Sequence, residues 1–237
     1  MSTEDPFKDS NEKEKAESTL AVLNLDELLT YENPNAEEYK KLIDEASAEA
    51  ELAVSNPGRA KTLSRSAGGA AYFTNFSMHW WSVCTQNLKT NDLLKSKFNG
   101  GTLVNLGAGT PSPFLEILDN GTIINVDKYA FGHSGIKKSI ELVKMYTEKE
   151  GGVDSFCVSA DMLDFISRLP SNSVNIEVDG VDYDIIHNPE YHKALAREIL
   201  RVTKKGGLVI GTQSNPLYFA KELPRVKMIN GEILEKE

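Results

Sequence analysis

The chain has 237 residues, 40% of them hydrophobic, with 26 Lys and Arg against 35 Asp and Glu; that is one full domain with an extension, or two small ones, and enough to bury a core without covalent staples. Two cysteines, Cys84 and Cys157, exclude a disulfide framework and a multi-cysteine zinc module and fit a reducing compartment. The first residues are neither basic nor apolar and no run of about 18 apolar residues occurs, so neither a signal peptide nor a transmembrane helix is expected, and the expected setting is cytoplasmic.

Residues 1–17 are polar and charged and are expected to form a disordered acidic tail. The first 55 residues hold 15 acids and 5 bases, while the remainder is near neutral with 20 and 21. The acidity therefore belongs to the N-terminal quarter. No dense basic cluster appears, which disfavours generic nucleic-acid binding. Residues 18–99 read as a helical extension or lid. Leu20, Val22, Leu23, Leu25, Leu28 and Leu29 suit a short helix. After Asn33-Pro34-Asn35, residues 36–53 are rich in helix formers, with Asn35 as N-cap and Glu37 and Glu38 in the first turn. Asn56-Pro57-Gly58 ends that helix. A third helix is expected from about Tyr72 to Lys97, on the spacing of Phe73, Phe76, Trp80, Val83 and Leu88.

From residue 100 short apolar runs alternate with helical stretches. The runs are 102–106, 122–126, 155–159, 174–178 and 207–211; the helices are 112–119, 134–149, a short one at 162–169, and 190–203. Strands of about five residues alternating with helices imply right-handed βαβ units. The predicted fold class is α/β: a doubly wound, mostly parallel, Rossmann-like sheet over residues 100–237. The segment 225–235 carries an Asn230-Gly231 hairpin signal.

In such a sheet ligands bind beyond the carboxyl ends of the strands. The first strand ends in Gly107-Ala108-Gly109-Thr110-Pro111-Ser112, where glycine lets the backbone turn sharply and approach a ligand, and Ser112-Pro113 is a good helix start. The second ends in Asp127, 20 residues after Gly107, placed to accept from both ribose hydroxyls. The third ends in Asp161-Met162, a polar and apolar pair suited to an adenine. Residues 194–211 form a helix, a Lys-Gly-Gly turn and a strand.

With these motifs the sequence resembles the class I S-adenosylmethionine-dependent methyltransferases, over about residues 100–213. The resemblance implies that Leu106, Gly107, Ala108, Gly109 and Thr110 wrap the methionine part of S-adenosyl-L-methionine. It implies that Asp127, with Lys128 beside it, binds the ribose, that Asp161 and Met162 meet the adenine, and that Asp179 at the fourth strand end completes the cofactor set. Residues 198–207 are similar to the family's helix and turn before strand five. Asn105 stands where the family often has an acid, removing a charge that would hold the ammonium group. Pro111 replaces a third glycine, and only 24 residues follow Gln213, short for the family's last helix and two antiparallel strands.

The four histidines, at 79, 133, 187 and 192, show no metal-ligand spacing, so no metal is expected. No Gly-x-Ser-x-Gly turn occurs. Cys84 and Cys157 are expected to be structural. Asp179, Asp182 and His187 follow strand four, where substrates enter this fold, and are the candidates for catalysis. Trp80 and Trp81 point about 100° apart on a helix and cannot both face one partner; that helix and the loop after strand four are expected to wall the acceptor site. The leading expectation is methyl transfer to a small-molecule or peptide acceptor, by a chain without membrane contact that is compatible with a homodimer. An NAD(P)-dependent oxidoreductase is the alternative with the same glycine turn; Ser112 in place of its third glycine and the acid at Asp161 tilt against it. A non-catalytic, methyltransferase-like binding protein is the other.

Overall fold

The computed structural model describes residues 25–55, 88–108, 112–127, 152–158, 160–178, 188–211, 220, 222–230 and 233–237. In chain order the elements are α1 (Leu25–Leu28), α2 (Ala36–Ser55), α3 (Leu88–Phe98), β1 (Thr102–Leu106), a 3-10 turn (Pro113–Glu116), β2 (Gly121–Val126), β3 (Val153–Val158), α4 (Met162–Ser167), β4 (Asn175–Val178), α5 (Pro189–Val202), β5 (Leu208–Gly211), β6 (Val226–Asn230) and β7 (Ile233–Lys236). The expected acidic tail 1–17, the helix 134–149 and the aromatic part of the third helix, Tyr72 to Asn87, lie outside the described residues.

The strands form one seven-stranded sheet in the order β3-β2-β1-β4-β5-β7-β6. The first five are mutually parallel, and β7 runs antiparallel to both β5 and β6. Strand order reverses between β1 and β4, with β2 and β3 added on one side and β4 and β5 on the other, which is the switch point of a doubly wound fold. The Rossmann-like methyltransferase fold is therefore what the chain adopts. The closing hairpin matches the Asn-Gly signal: β6 and β7 pair with Asn230 opposite Ile233.

Side chains alternate between the two faces of a strand, and both faces are covered. On one, Val104, Leu106, Ile124, Val126, Ile176, Val178 and Val209 pack with α4 and α5, and with Tyr39, Leu42 and Ala46 of α2. On the other, Leu103, Ile123, Val153, Leu208, Ile210 and Ile233 pack with Leu94 and Phe98 of α3 and with Phe114, Leu115, Ile117 and Leu118. Burial on both faces explains why the strands read as continuous apolar runs.

Most boundaries move by one or two residues, and two of the differences have a plain physical cause. The expected helix 112–119 is only a 3-10 turn at 113–116. Fourteen residues (107–120) must return from the head of β1 to the foot of β2, and a 3-10 segment rises about 2.0 Å per residue against about 1.5 Å for α. β3 begins at Val153 because its register with β2 extends down to Gly121. Here Gly152 is obligatory, since a Cβ on it would lie 2.1 Å from the carbonyl oxygen of Asp119.

A buried polar clasp fastens the segment 31–46 to this sheet. Glu198 of α5 accepts hydrogen bonds from Tyr39 Oη (3.0 Å), Asn33 Nδ2 (3.1 Å) and Arg201 Nε (2.7 Å). Arg201 also donates to the carbonyls of Leu169 (2.8 Å) and Ile166 (3.0 Å), and its guanidinium lies 4.1 Å from the centre of the Tyr31 ring. At the same C-terminal end of α5, Lys236 Nζ donates to the carbonyls of Leu200 (2.6 Å) and Thr203 (2.9 Å) and to Asn172 Oδ1 (2.8 Å). A cation at a helix C-terminus satisfies carbonyls that have no partner within the helix. Among the described residues no helix is long and apolar enough to cross a membrane.

Candidate functional site

The register aligns the strand heads. Leu106 is opposite Val126 on one side and Val178 on the other, and Val126 is opposite Val158. The residues that follow these four heads are therefore neighbours in space. Gly107 follows β1 in the left-handed region, φ +66°, a conformation that glycine adopts without a Cβ penalty. Its N–H and that of Ala108 both donate to the carbonyl of Val126 (2.9 and 3.1 Å), folding the turn back over β2. Leu106 and Ala108 are buried beneath and within this turn.

Asp127 stands half-buried directly beyond β2, and its N–H donates to the carbonyl of Val158 (3.1 Å). A left-handed glycine turn beside a strand-end carboxylate allows close backbone approach on one side and offers an acceptor for paired hydroxyls on the other. Asp161 is the N-cap of α4: its Oδ1 accepts from the N–H groups of Leu163 (2.9 Å) and Asp164 (3.3 Å) and from Tyr191 Oη (3.0 Å). Met162, the first residue of α4, is half-buried against the adjoining core.

Of the residues expected at this site, the structure brings together Leu106, Gly107, Ala108 and Asp127 around the β1 and β2 heads, with Asp161 and Met162 beyond β3. Gly109, Thr110, Lys128, Asp179, Asp182 and His187 lie outside the described residues, as do Trp80 and Trp81. His192 sits inside α5, wholly buried, with its ring edge-on to Tyr191 at 5.9 Å. Among the described residues no group of three or more His, Cys, Asp or Glu is placed to hold a metal ion.

The structure adds residues that the sequence reading passed over. Asn125 and Glu177 sit on β2 and β4 opposite Asn105 of β1, forming a polar row across three adjacent strands. All three are buried: Asn105 0%, Asn125 1% and Glu177 2% exposed. Asn125 Oδ1 accepts from the N–H of Ser112 (3.0 Å) and, more distantly, from Asn105 Nδ2 (3.4 Å); its Nδ2 donates to Ser155 Oγ and to the carbonyl of Phe156, each at 3.2 Å. Ser112 in turn caps the 3-10 turn, accepting from the N–H of Phe114. The row thus ties the far end of the glycine loop to the sheet. The visible signal was a polar residue in the middle of each apolar run, TIINV and NIEV.

No protein-family model matches the chain and no curated protein matches it. Several solved structures do. One is TrmN from Thermus thermophilus, 15% identical, covering 63% of this chain and 48% of TrmN with a TM-score of 0.43; the chain thus spans about half the length of TrmN. Another is SMU.1697c from Streptococcus mutans in complex with SAH, 16% identical, covering 63% of this chain and 96% of that one, TM-score 0.42. A third is the N-methyltransferase NodS from Bradyrhizobium japonicum WM9, 12% identical, covering 62% and 90%, TM-score 0.40. By its own strand order and strand-end motifs, this chain has the Rossmann-like fold of the class I S-adenosylmethionine-dependent methyltransferases that its sequence resembles.

Proposed function

We propose that the chain is an S-adenosylmethionine-dependent methyltransferase acting on a small-molecule or peptide acceptor in the cytoplasm. The observation that carries the reading is the juxtaposition of the left-handed Gly107 turn and Asp127 at neighbouring strand heads, beside the switch point of the sheet. That donor set fits an S-adenosyl group: a backbone turn without a Cβ at Gly107 for the ligand to lie along, and a carboxylate for its ribose. Bound there, S-adenosylmethionine supplies a methyl group on a sulfonium, already a strong electrophile.

Asp127 accepts from the ribose hydroxyls, with Lys128 next in sequence, and Leu106, Gly107, Ala108, Gly109 and Thr110 are assigned to the amino-acid part. Met162 offers apolar surface to the adenine, while Asp161, engaged by α4 and Tyr191, fixes where Met162 stands. Asp179, Asp182 and His187, which follow β4 in the sequence, are the residues proposed to act on the acceptor. The work left to the protein is alignment of acceptor, methyl and sulfur, a proximity effect; a base is needed only for an acceptor that loses a proton as it attacks.

Calorimetric titration tests the reading. S-adenosylmethionine and S-adenosylhomocysteine should bind and NAD should not. Asp127→Ala removes charge-assisted hydrogen bonds to the ribose, so affinity should fall at least about tenfold. Binding of NAD alone would replace the proposal with an oxidoreductase. Binding of S-adenosylhomocysteine with no methyl transfer across a broad acceptor panel would replace it with a binding protein.

A further inference from the structure

Both ends of the segment from Gly107 to Ser112 are fastened to β2. At the near end the N–H groups of Gly107 and Ala108 donate to the carbonyl of Val126 (2.9 and 3.1 Å). At the far end the N–H of Ser112 donates to Asn125 Oδ1 (3.0 Å). Asp127 comes next in the chain. Three consecutive residues, 125–127, therefore hold the far end of the segment, hold its near end, and carry the strand-end carboxylate.

An apolar side chain would serve β2 alone equally well at position 125: Ile123, on the same face of the strand, is apolar and wholly buried. Burying a carboxamide there is costly unless its groups are bonded. It has two N–H donors and two acceptor lone pairs, and Asn125 uses all four. Three of the bonds stay within the sheet, to Ser155 and Phe156 of β3 and to Asn105 of β1. The fourth, to Ser112, leaves it. Ser112 is itself 1% exposed and is the N-cap of the 3-10 turn. Without Asn125 Oδ1 its N–H would be a buried donor lacking that acceptor, a state relieved by moving the residue toward water.

We infer that Asn125 is a positioning residue for the cofactor. Its carboxamide, oriented by β3, holds the Ser112 end of the glycine segment in place before any ligand arrives, so that this segment and Asp127 stand at a set separation. Such preorganisation spares the ligand the entropy of ordering its own site. The inference rests on the cofactor reading above and adds to it a residue that acts through the segment.

The test compares two ligands that share adenosine and sulfur: S-adenosylhomocysteine, which carries the amino acid assigned to the glycine segment, and 5′-methylthioadenosine, which lacks it. The parent protein should prefer the former. In Asn125→Ala that preference should fall about tenfold, the cost of fixing roughly one residue anew on binding, with affinity for 5′-methylthioadenosine unchanged. Gly152→Ala, which disturbs the foot of the same pair of strands, should lower stability and keep the preference.

An unchanged preference in Asn125→Ala, equal weakening of both ligands, or the same loss of preference in Gly152→Ala overturns the inference and leaves the cofactor reading standing. If neither ligand binds the parent, the cofactor reading fails and the inference with it. Should Asn125→Ala not fold, hydrogen exchange in the parent decides: a Ser112 amide protected before ligand is added supports the inference, and one that exchanges as fast as in an unfolded chain overturns it.

Discussion

Glu198 and Glu177 are both buried acids, 3% and 2% exposed, on opposite faces of one sheet. Glu198 is enclosed by donors from three parts of the chain, Asn33, Tyr39 and Arg201, the last a cation bonded to it directly. Glu177 sits in a row with two carboxamides, under the glycine turn and next to the switch point. A buried charge that has a built-in counter-ion is part of the architecture: removing either partner strands the other. Glu177 instead stands in register with Asn105, whose other neighbour, Asn125, ties the glycine loop to the sheet. The same residue type at the same depth thus docks a distant helix in one place and stands within the strand pairing beside the switch point in the other.

The largest effect expected from breaking this contrast is on the clasp. Glu198→Ala leaves Arg201 without its carboxylate and Tyr39 and Asn33 without their acceptor, and should cost about 3–5 kcal/mol of stability. Chemical denaturation measures it, and a loss below about 1 kcal/mol would show the clasp to be ornamental. Tyr39→Phe removes one hydrogen bond to the same charged group and should cost about 1.5–3 kcal/mol. It should also change the alkaline limb of the stability curve. Burial first, then the nearby Glu198, pushes the Tyr39 phenol up from 10.0 to about 12. The folded state therefore keeps a proton that the unfolded chain gives up. That contribution is fully present below pH 10.0 and is lost as pH rises through about 12. The parent should lose stability across this window more steeply than Tyr39→Phe does.

The feet of the strands belong with Glu198 on the side of stability. Gly152→Ala puts a Cβ against the Asp119 carbonyl, which backbone must move to relieve, at about 1–3 kcal/mol; a melt of the variant with and without S-adenosylhomocysteine should show lower stability and an undiminished ligand-induced gain. The smallest stability change is expected at the strand heads. Asp127→Ala should alter unfolding free energy by less than about 1 kcal/mol, as substitutions away from clasps and cores usually do, while it weakens the ligand. A large loss of stability there would move Asp127 to the architectural side of the comparison.

Much of the fold was legible because each element signals itself locally. The run 102–106 is apolar, is followed by glycine, and is β1; the helix expected over 190–203 is α5, which starts one residue earlier because Asn188 caps it ahead of Pro189. Asn230-Gly231 announced the hairpin of β6 and β7. The strand-end placement of Gly107 and Asp127 followed from the same runs. Asp161 was legible as a strand-end acid but not as a helix cap with a tyrosine bond, since Tyr191 is 30 residues away. Glu198 was read only as part of a helix and turn motif; its partners Asn33 and Tyr39 are 165 and 159 residues distant.

The sequence by itself determined the alternation of strands and helices, the glycine turn, the acids that close the strands and the final hairpin. Each of these depends on propensity, periodicity or turn chemistry acting over a few residues. Only the tertiary structure decided the strand order, with β7 placed between β5 and β6, and the registers that set Asn105 between Asn125 and Glu177. It also decided the compression of an expected helix into a 3-10 turn and the docking of α2 through Glu198. Register and order arise from burying both faces of the sheet at once, a condition imposed on residues far apart in the chain, and no local pattern records which distant side chain will stand opposite.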